Sequence, residues 1–422
     1  MRNQAEETQL RLMQPREPAE FLPEPPAESL FCPLISVDDH LLEPLNVFEG
    51  RVPARYKEDT PTVTYDEDDC PWWIIDDDRV PVLVVNGAVG RPMRQWKPAP
   101  ARYDEMRPGV WDPKKRLNDM DLCGIWASLC FGSLPWGFAG SRFSSMKNNE
   151  AGLAAMRAYN DWMLEDWCGA APERYIPCQY TWLGDPHIAA AEIRKNAARG
   201  FKAVSFAEDP EPLGFPNIYD PYWDPFFDAC QETETVVNLH VGSSGTLTTG
   251  CSASPADVYI ALFPVSAMRA CIDWIYARVP LRFPRLRIAL SEGGASWVPM
   301  AIERLDRSYR QVEQSMAWSS SDPNPVGILK RNFWFCSIED PSVFAHIDLV
   351  GSERIMVETD YPHQDSTWPN AQAILRRQVE GVLPQDQIRK VAYGNAARLY
   401  RHPEPPTEWL ARSEIGKNDV KV

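Results

Sequence analysis

The chain has 422 residues, 44% of them hydrophobic, which is enough for one large domain or two ordinary ones. Its formal net charge of −16 argues against nucleic acid and anionic membranes as partners, because backbone phosphates need basic patches. No apolar run reaches the roughly 18 to 20 residues of a membrane span, and the charged, Pro-rich start lacks the apolar core of a signal peptide.

Residues 1–30 read as a flexible arm lying over the surface. Eight short apolar runs follow, at 31–39, 125–132, 175–183, 201–209, 236–242, 286–294, 333–340 and 354–362. Helical patterns lie between most of them. One, opening at "NNEAGL", starts with an Asn cap. Another, "HIAAAEIRKNAARG", stops at Gly200. A long amphipathic stretch begins at Trp297, and a further helix follows the last strand. Strands alternating with helices predict a parallel sheet covered on both faces. Eight repeats predict a closed (β/α)8 TIM barrel over 31–402, with 403–422 as a tail. An open doubly wound sheet is the alternative, weakened because no GxGxxG follows the first strand.

Two segments exceed what a plain barrel needs. Residues 41–112, with a small β-hairpin in "DEDDCPWWIIDDDRVPVLVVNG", read as a lid insertion after strand 1. Residues 243–265 form a long Ser/Thr/Gly-rich loop after strand 5. Insertions after barrel strands sit over the active face. The ten cysteines form no CxxC pair, which suits small buried side chains in a cytoplasmic protein.

Polar residues cluster at the carboxyl ends of the runs. Asp38 and His40 end the first, His240 the fifth and Glu292 the sixth; Asp360 ends the eighth, with His363 three residues on. In a barrel these ends converge on one mouth. A lone Asp there is usually a cap and a lone His usually a core residue. Six such groups together, with no Arg or Lys in their motifs, call for a compensating cation. Asp38 and His40 are two residues apart and so point the same way from a strand, while Asp39 points away and is structural; Glu43 reads as a loop residue. His187, His346 and His402 fall outside the set. Ser243 and Ser244 near His240 make a serine nucleophile conceivable, but nearness in sequence is no triad.

These motifs, "SVDDHLLEP", "NLHVGSSG", "SEGGASWVP" with "ERLDR", "ETDYPHQDSTWPN" and "YGNAARLYR", resemble the amidohydrolase superfamily, in its amidohydrolase-related branch of metal-dependent enzymes. The resemblance implies a barrel with a metal at its mouth, ligated by Asp38, His40, His240 and Asp360. One position departs from the decarboxylases of that branch: Glu292 stands where they usually carry a His, which counts against decarboxylation. Three carboxylates around a single divalent ion leave the cluster anionic, whereas two ions leave it modestly cationic. Mixed N/O ligation suits iron, manganese or zinc. Glu292 could then bridge, with His363 on the second ion.

That pattern is similar to the non-haem diiron monooxygenases built on this fold, which include diterpenoid hydroxylases. It implies two irons, O2 as co-substrate, an external electron donor and hydroxylation of an unactivated carbon in a bulky apolar molecule. The sixteen Trp residues fit an apolar pocket, or ordinary packing. The alternative is a metal-dependent hydrolase or decarboxylase with Glu292 or Asp360 as the base. A catalytically silent barrel is the third reading. A homo-oligomer is allowed, since such barrels often self-associate.

Overall fold

The computed structural model describes residues 10–251, 253–315 and 317–416. Each of the eight apolar runs becomes a strand. In chain order the strands are β1 (Leu34–His40), β2 (Thr62–Tyr65), β3 (Pro71–Ile75), β4 (Asp78–Pro81), β5 (Ile125–Phe131), β6 (Tyr175–Ile176), β7 (Cys178–Tyr180), β8 (Ala203–Phe206), β9 (Val236–His240), β10 (Ile288–Ser291), β11 (Phe333–Ser337) and β12 (Ile355–Val357). The order β6-β5-β1-β12-β11-β10-β9-β8-β7 is parallel throughout. β6 and β7 are one run divided at Pro177, which has no N–H for the ladder. Its carbonyl still accepts from Lys202 N and Ala203 N, at 3.0 and 3.2 Å. That run joins the two ends of the sheet and closes the ring as a (β/α)8 barrel. β1, β5 and β9 are buried along their whole length, as strands covered on both faces should be.

The helices follow the expected caps. Asn148 accepts from Ala151 N (3.2 Å) to open α1 (Asn149–Trp162), and Gly200, at φ +120°, ends α2 (Pro186–Arg199). α3 (Ala256–Ala261) and α4 (Phe263–Tyr276) follow the loop after β9. The amphipathic stretch from Trp297 is shorter than its pattern suggests: the helix runs Val298–Arg310 and breaks into a tighter turn.

In the insertion, β2, β3 and β4 form an antiparallel sheet. Trp73 packs edge-on to Trp136 (centroids 4.9 Å), and Trp136 stacks on Phe143 (5.1 Å). These tryptophans are buried packing between insertion and barrel, and Trp182 is buried too, which is the second of the two readings; Trp111 instead lines a cavity within the insertion. Nine of the ten cysteines are buried and unpaired; only Cys251, in the loop before α3, is exposed. Among the described residues no helix is long and apolar enough to cross a membrane.

Candidate metal centre

β1 delivers Asp38 and His40 to the barrel mouth, fully buried. β9 ends on His240, and Glu292 follows β10 at once. Asp360 lies three residues beyond β12, held by its own N–H donating to Asp38 O (2.9 Å). His40 Nε2 lies 3.1 Å from His240 Nε2, 3.4 Å from Asp38 Oδ1 and 3.3 Å from Asp360 Oδ1. His240 Nε2 is 3.6 Å from Asp38 Oδ2 and 3.5 Å from Glu292 Oε2. His363 Nδ1 is 3.1 Å from Asp360 Oδ1, and its ring stacks on His40 at 3.9 Å. All six residues expected from sequence therefore meet.

Their donor atoms fall into three overlapping groups: Asp38, His40 and His240; His40, Asp360 and His363; and Glu292, Asp360, His363 and Asp365. Donors bound to one ion at about 2.0–2.2 Å stand roughly 3.0 to 3.5 Å apart, which is the spacing of the histidine contacts above. Neither oxygen of the buried Asp38 accepts a hydrogen bond, a costly state without a cation. The residues present thus fit a divalent metal.

The charge balance agrees. Burial, then the carboxylates of Glu358, Asp360 and Glu292, push the Asp38 carboxyl well above its ordinary range. Burial and Asp360 do the same to Glu292. Burial holds His40 and His240 well below the usual imidazole value, so both are neutral and offer lone pairs. For His363, burial opposes charging but the adjacent Asp360 outweighs it and raises the ring.

Asp39 points to the other side, as the strand alternation requires. It accepts from Ser36 Oγ (3.0 Å), Thr359 Oγ1 (2.6 Å) and Tyr361 N (3.1 Å), and also from Ser128 Oγ. Glu43 is not a simple loop residue: it is buried, accepts from Ser133 N (3.0 Å) and meets the hydroxyls of Tyr159 and Tyr180 around Gly132. A Cβ on Gly132 would lie 2.3 Å from each tyrosine oxygen. Ser243 Oγ and Ser244 Oγ accept from the backbones of Glu208 and Asp209, so both hydroxyls serve as loop braces. His187 is exposed at the start of α2, His346 is exposed, and His402 contacts Glu173 O; none joins the cluster.

Sequence reasoning missed four neighbours. Glu358 and Asp365 each lie two residues from a chosen ligand, the spacing that had singled out Asp38 and His40. Glu358 Oε2 accepts from Glu292 N at 3.1 Å. Phe138 packs on His240 with centroids 4.0 Å apart. Arg116, buried in the helix Pro113–Leu122, donates to His40 O and Gly109 O and lies over the Tyr361 ring; its charge opposes the burial of Asp39.

Above the acids is a cleft of about 160 Å³. Val85, Asn86 and Pro98 line it from the insertion, Tyr259, Ile260 and Phe263 from α3 and α4, and Leu12 from the arm, with Glu292, His363 and Asp365 at its floor. No Lys or Arg is among its described lining residues.

Solved structures with this architecture include an amidohydrolase from Mycobacterium avium subsp. paratuberculosis K-10 (22% identity over 87% of this chain and 99% of that one, TM-score 0.69). The 5-carboxyvanillate decarboxylase of Sphingomonas paucimobilis is 21% identical over 88% and 99%, with a TM-score of 0.59. The dihydroxybenzoic acid decarboxylase of Polaromonas sp. JS666, solved with bound manganese and 2-nitroresorcinol, is 16% identical over 87% and 97%, with a TM-score of 0.59. At such identities the likeness shows the fold. None of these three is described as a diiron monooxygenase, so iron and O2 rest on the sequence resemblance alone. None of the curated proteins matches. The family model for amidohydrolases matches residues 78–402, well over half of the chain, and this protein is a member of that family.

Proposed function

We propose that this protein is a metal-dependent enzyme of the hydrolase or decarboxylase kind and, of the two, a hydrolase of an uncharged substrate with an apolar part. The observation that carries this is the cleft: apolar walls, no cationic lining residue, and Glu292 and Asp365 at the floor beside the candidate ligands. An anionic carboxylated substrate would have only the bound ion, and no guanidinium, to offset those acidic groups. A neutral ester, lactone or amide meets no such penalty.

Asp38, His40, His240 and Asp360 would hold the ion. When bound, a divalent metal polarises a carbonyl and acidifies a water. Glu292 stands at the cleft floor, 3.5 Å from His240 Nε2, where its carboxylate can take the proton of an attacking water and return it to the leaving group. His363, held by Asp360, can donate to the substrate oxygen. α3, α4 and the insertion walls limit water access.

A second reading is carried by the overlapping group of Glu292, Asp360, His363 and Asp365, which shares Asp360 with the first set and could hold another ion and make the centre dinuclear; the oxygenase reading belongs to that case. One experiment separates the two. Metal-free protein is titrated calorimetrically with Mn(II), then assayed on neutral esters and amides, on carboxylated arenes, and for reductant-dependent O2 uptake. Mn-dependent hydrolysis that falls by 10²–10⁴ in Glu292→Gln is expected. Loss of CO2 from the arenes alone would replace hydrolysis by decarboxylation. O2 uptake with two irons per chain would favour the second reading.

A further inference from the structure

The arm and the insertion carry opposite charges. Residues 15–28, "PREPAEFLPEPPAE", are acidic and Pro-rich, while residues 91–107 hold Arg91, Arg94, Lys97, Arg102 and Arg107. The structure pairs the two segments. Glu17 meets Lys97 at 2.9 Å, Glu20 meets Arg94, and Glu24 meets Arg107 at 2.8 and 2.9 Å; Arg16 meets Glu105 in the reverse sense. Backbone bonds align the two segments: Gln14 N donates to Pro98 O (3.1 Å) and Leu22 N to Gly90 O (2.8 Å). Further along, Glu28 accepts from Gln372 N and Ala373 N, at 2.8 and 3.0 Å, which ties the arm to the barrel. Pro98 and, from the arm, Leu12 both line the cleft.

A Pro-rich segment is extended and stiff, so docking it costs little chain entropy. Glu17, Lys97, Glu20 and Arg94 are all close to half exposed or more, so each of these pairs is weak and screened by salt. Two exposed pairs of this kind make a contact that salt should loosen. We propose that the arm is a strap that closes the cleft, with Leu12 as the contact that limits the bulk of the substrate's apolar part. This rests on the reading of that cleft as the substrate site.

The test uses the full chain loaded with Mn(II) and 2-naphthol, a small neutral aromatic dye, as the probe. Leu12→Trp is compared with Ile260→Trp, which narrows the same cleft from α3. Hydrogen exchange at the Gln14 and Leu22 amides is followed in 0.05 and 1 M NaCl, in Glu20→Lys and in Glu20→Lys/Arg94→Glu. Both Trp variants should weaken dye binding at least fivefold, with Mn(II) content unchanged. Protection of the two amides should fall roughly twofold to fivefold in Glu20→Lys, fall also in high salt, and return in the double variant. If Ile260→Trp weakens the dye and Leu12→Trp does not, the strap is wrong and the cleft stands. If neither does, the cleft reading falls and the strap with it. Free-chain exchange at Leu22 in 0.05 M NaCl would also overturn the strap.

Discussion

Glu292 and Asp360 both sit in left-handed backbone, at φ +58° and +49°. Side chains other than glycine rarely adopt that region, at a cost of about 1–3 kcal/mol each. Glu292 is fixed there by the turn that follows. Gly293 packs so tightly on α4 that an added Cβ would lie 2.1 Å from Ala267 Cβ. Glu292→Gly should therefore raise the melting temperature of metal-free protein, by relief worth about 1 kcal/mol, while abolishing turnover; an unchanged or lowered melting temperature would refute the strain. Glu208 offers a second residue-level test. It is buried beyond β8, accepts from Gly242 N (3.1 Å), and burial lifts its carboxyl from 4.5 to about 7. A raised folded value means that stability is lost as pH climbs from 4.5 through about 7. Glu208→Gln should match wild type at pH 5 and exceed it at pH 8 by up to about 3 kcal/mol, as read by urea denaturation. Asp38, His40 and His240 were legible because strand alternation and an isolated polar ending mark them. Glu358 and Asp365 carried the same two-residue spacing and were overlooked. Arg116 left no signal, because only folding brings its helix beneath His40.

The strands were the most readable elements, since each is a short apolar run ending in a turn or a polar residue. The division into β6 and β7 follows from Pro177 and could have been foreseen from its missing N–H. Tryptophan stays open at this scale between an apolar pocket and ordinary packing. Composition counts large rings without saying which surface they cover, and here Trp73, Trp136 and Phe143 join the insertion to the barrel. Trp136→Ala should destabilise the protein by about 3–5 kcal/mol, while leaving the Mn(II) stoichiometry of folded protein at the wild-type value. A loss of metal without a loss of stability would place that cluster in the site instead. Residues 243–265 read as one long loop, but their second half is helical: α3 and the start of α4 form part of the cleft wall, and α3 buries no residue fully, so no apolar face marked it.

Across the whole molecule, an acidic chain concentrates carboxylates at the barrel mouth. Without metal, Asp38, Glu292 and Glu358 are all held above the ordinary carboxylate range by burial, with their acidic neighbours adding to it in each case. Folding of metal-free protein therefore loses stability as pH rises from about 4 through those raised values. Metal binding displaces the protons and reverses the trend. The melting-temperature gap between Mn(II)-loaded and chelator-treated protein should widen steadily from pH 5 to pH 8; a constant gap would mean that the acids do not bind the ion. Cys251 has a practical consequence at this scale. Burial raises the thiols of Cys32 and Cys70 to about 12 and about 11, whereas local hydrogen bonds lower that of Cys251. The native chain thus carries its own single labelling handle, a few residues before α3. A fluorophore attached there, with no engineered substitution, would report the cleft wall's motion as ligand enters.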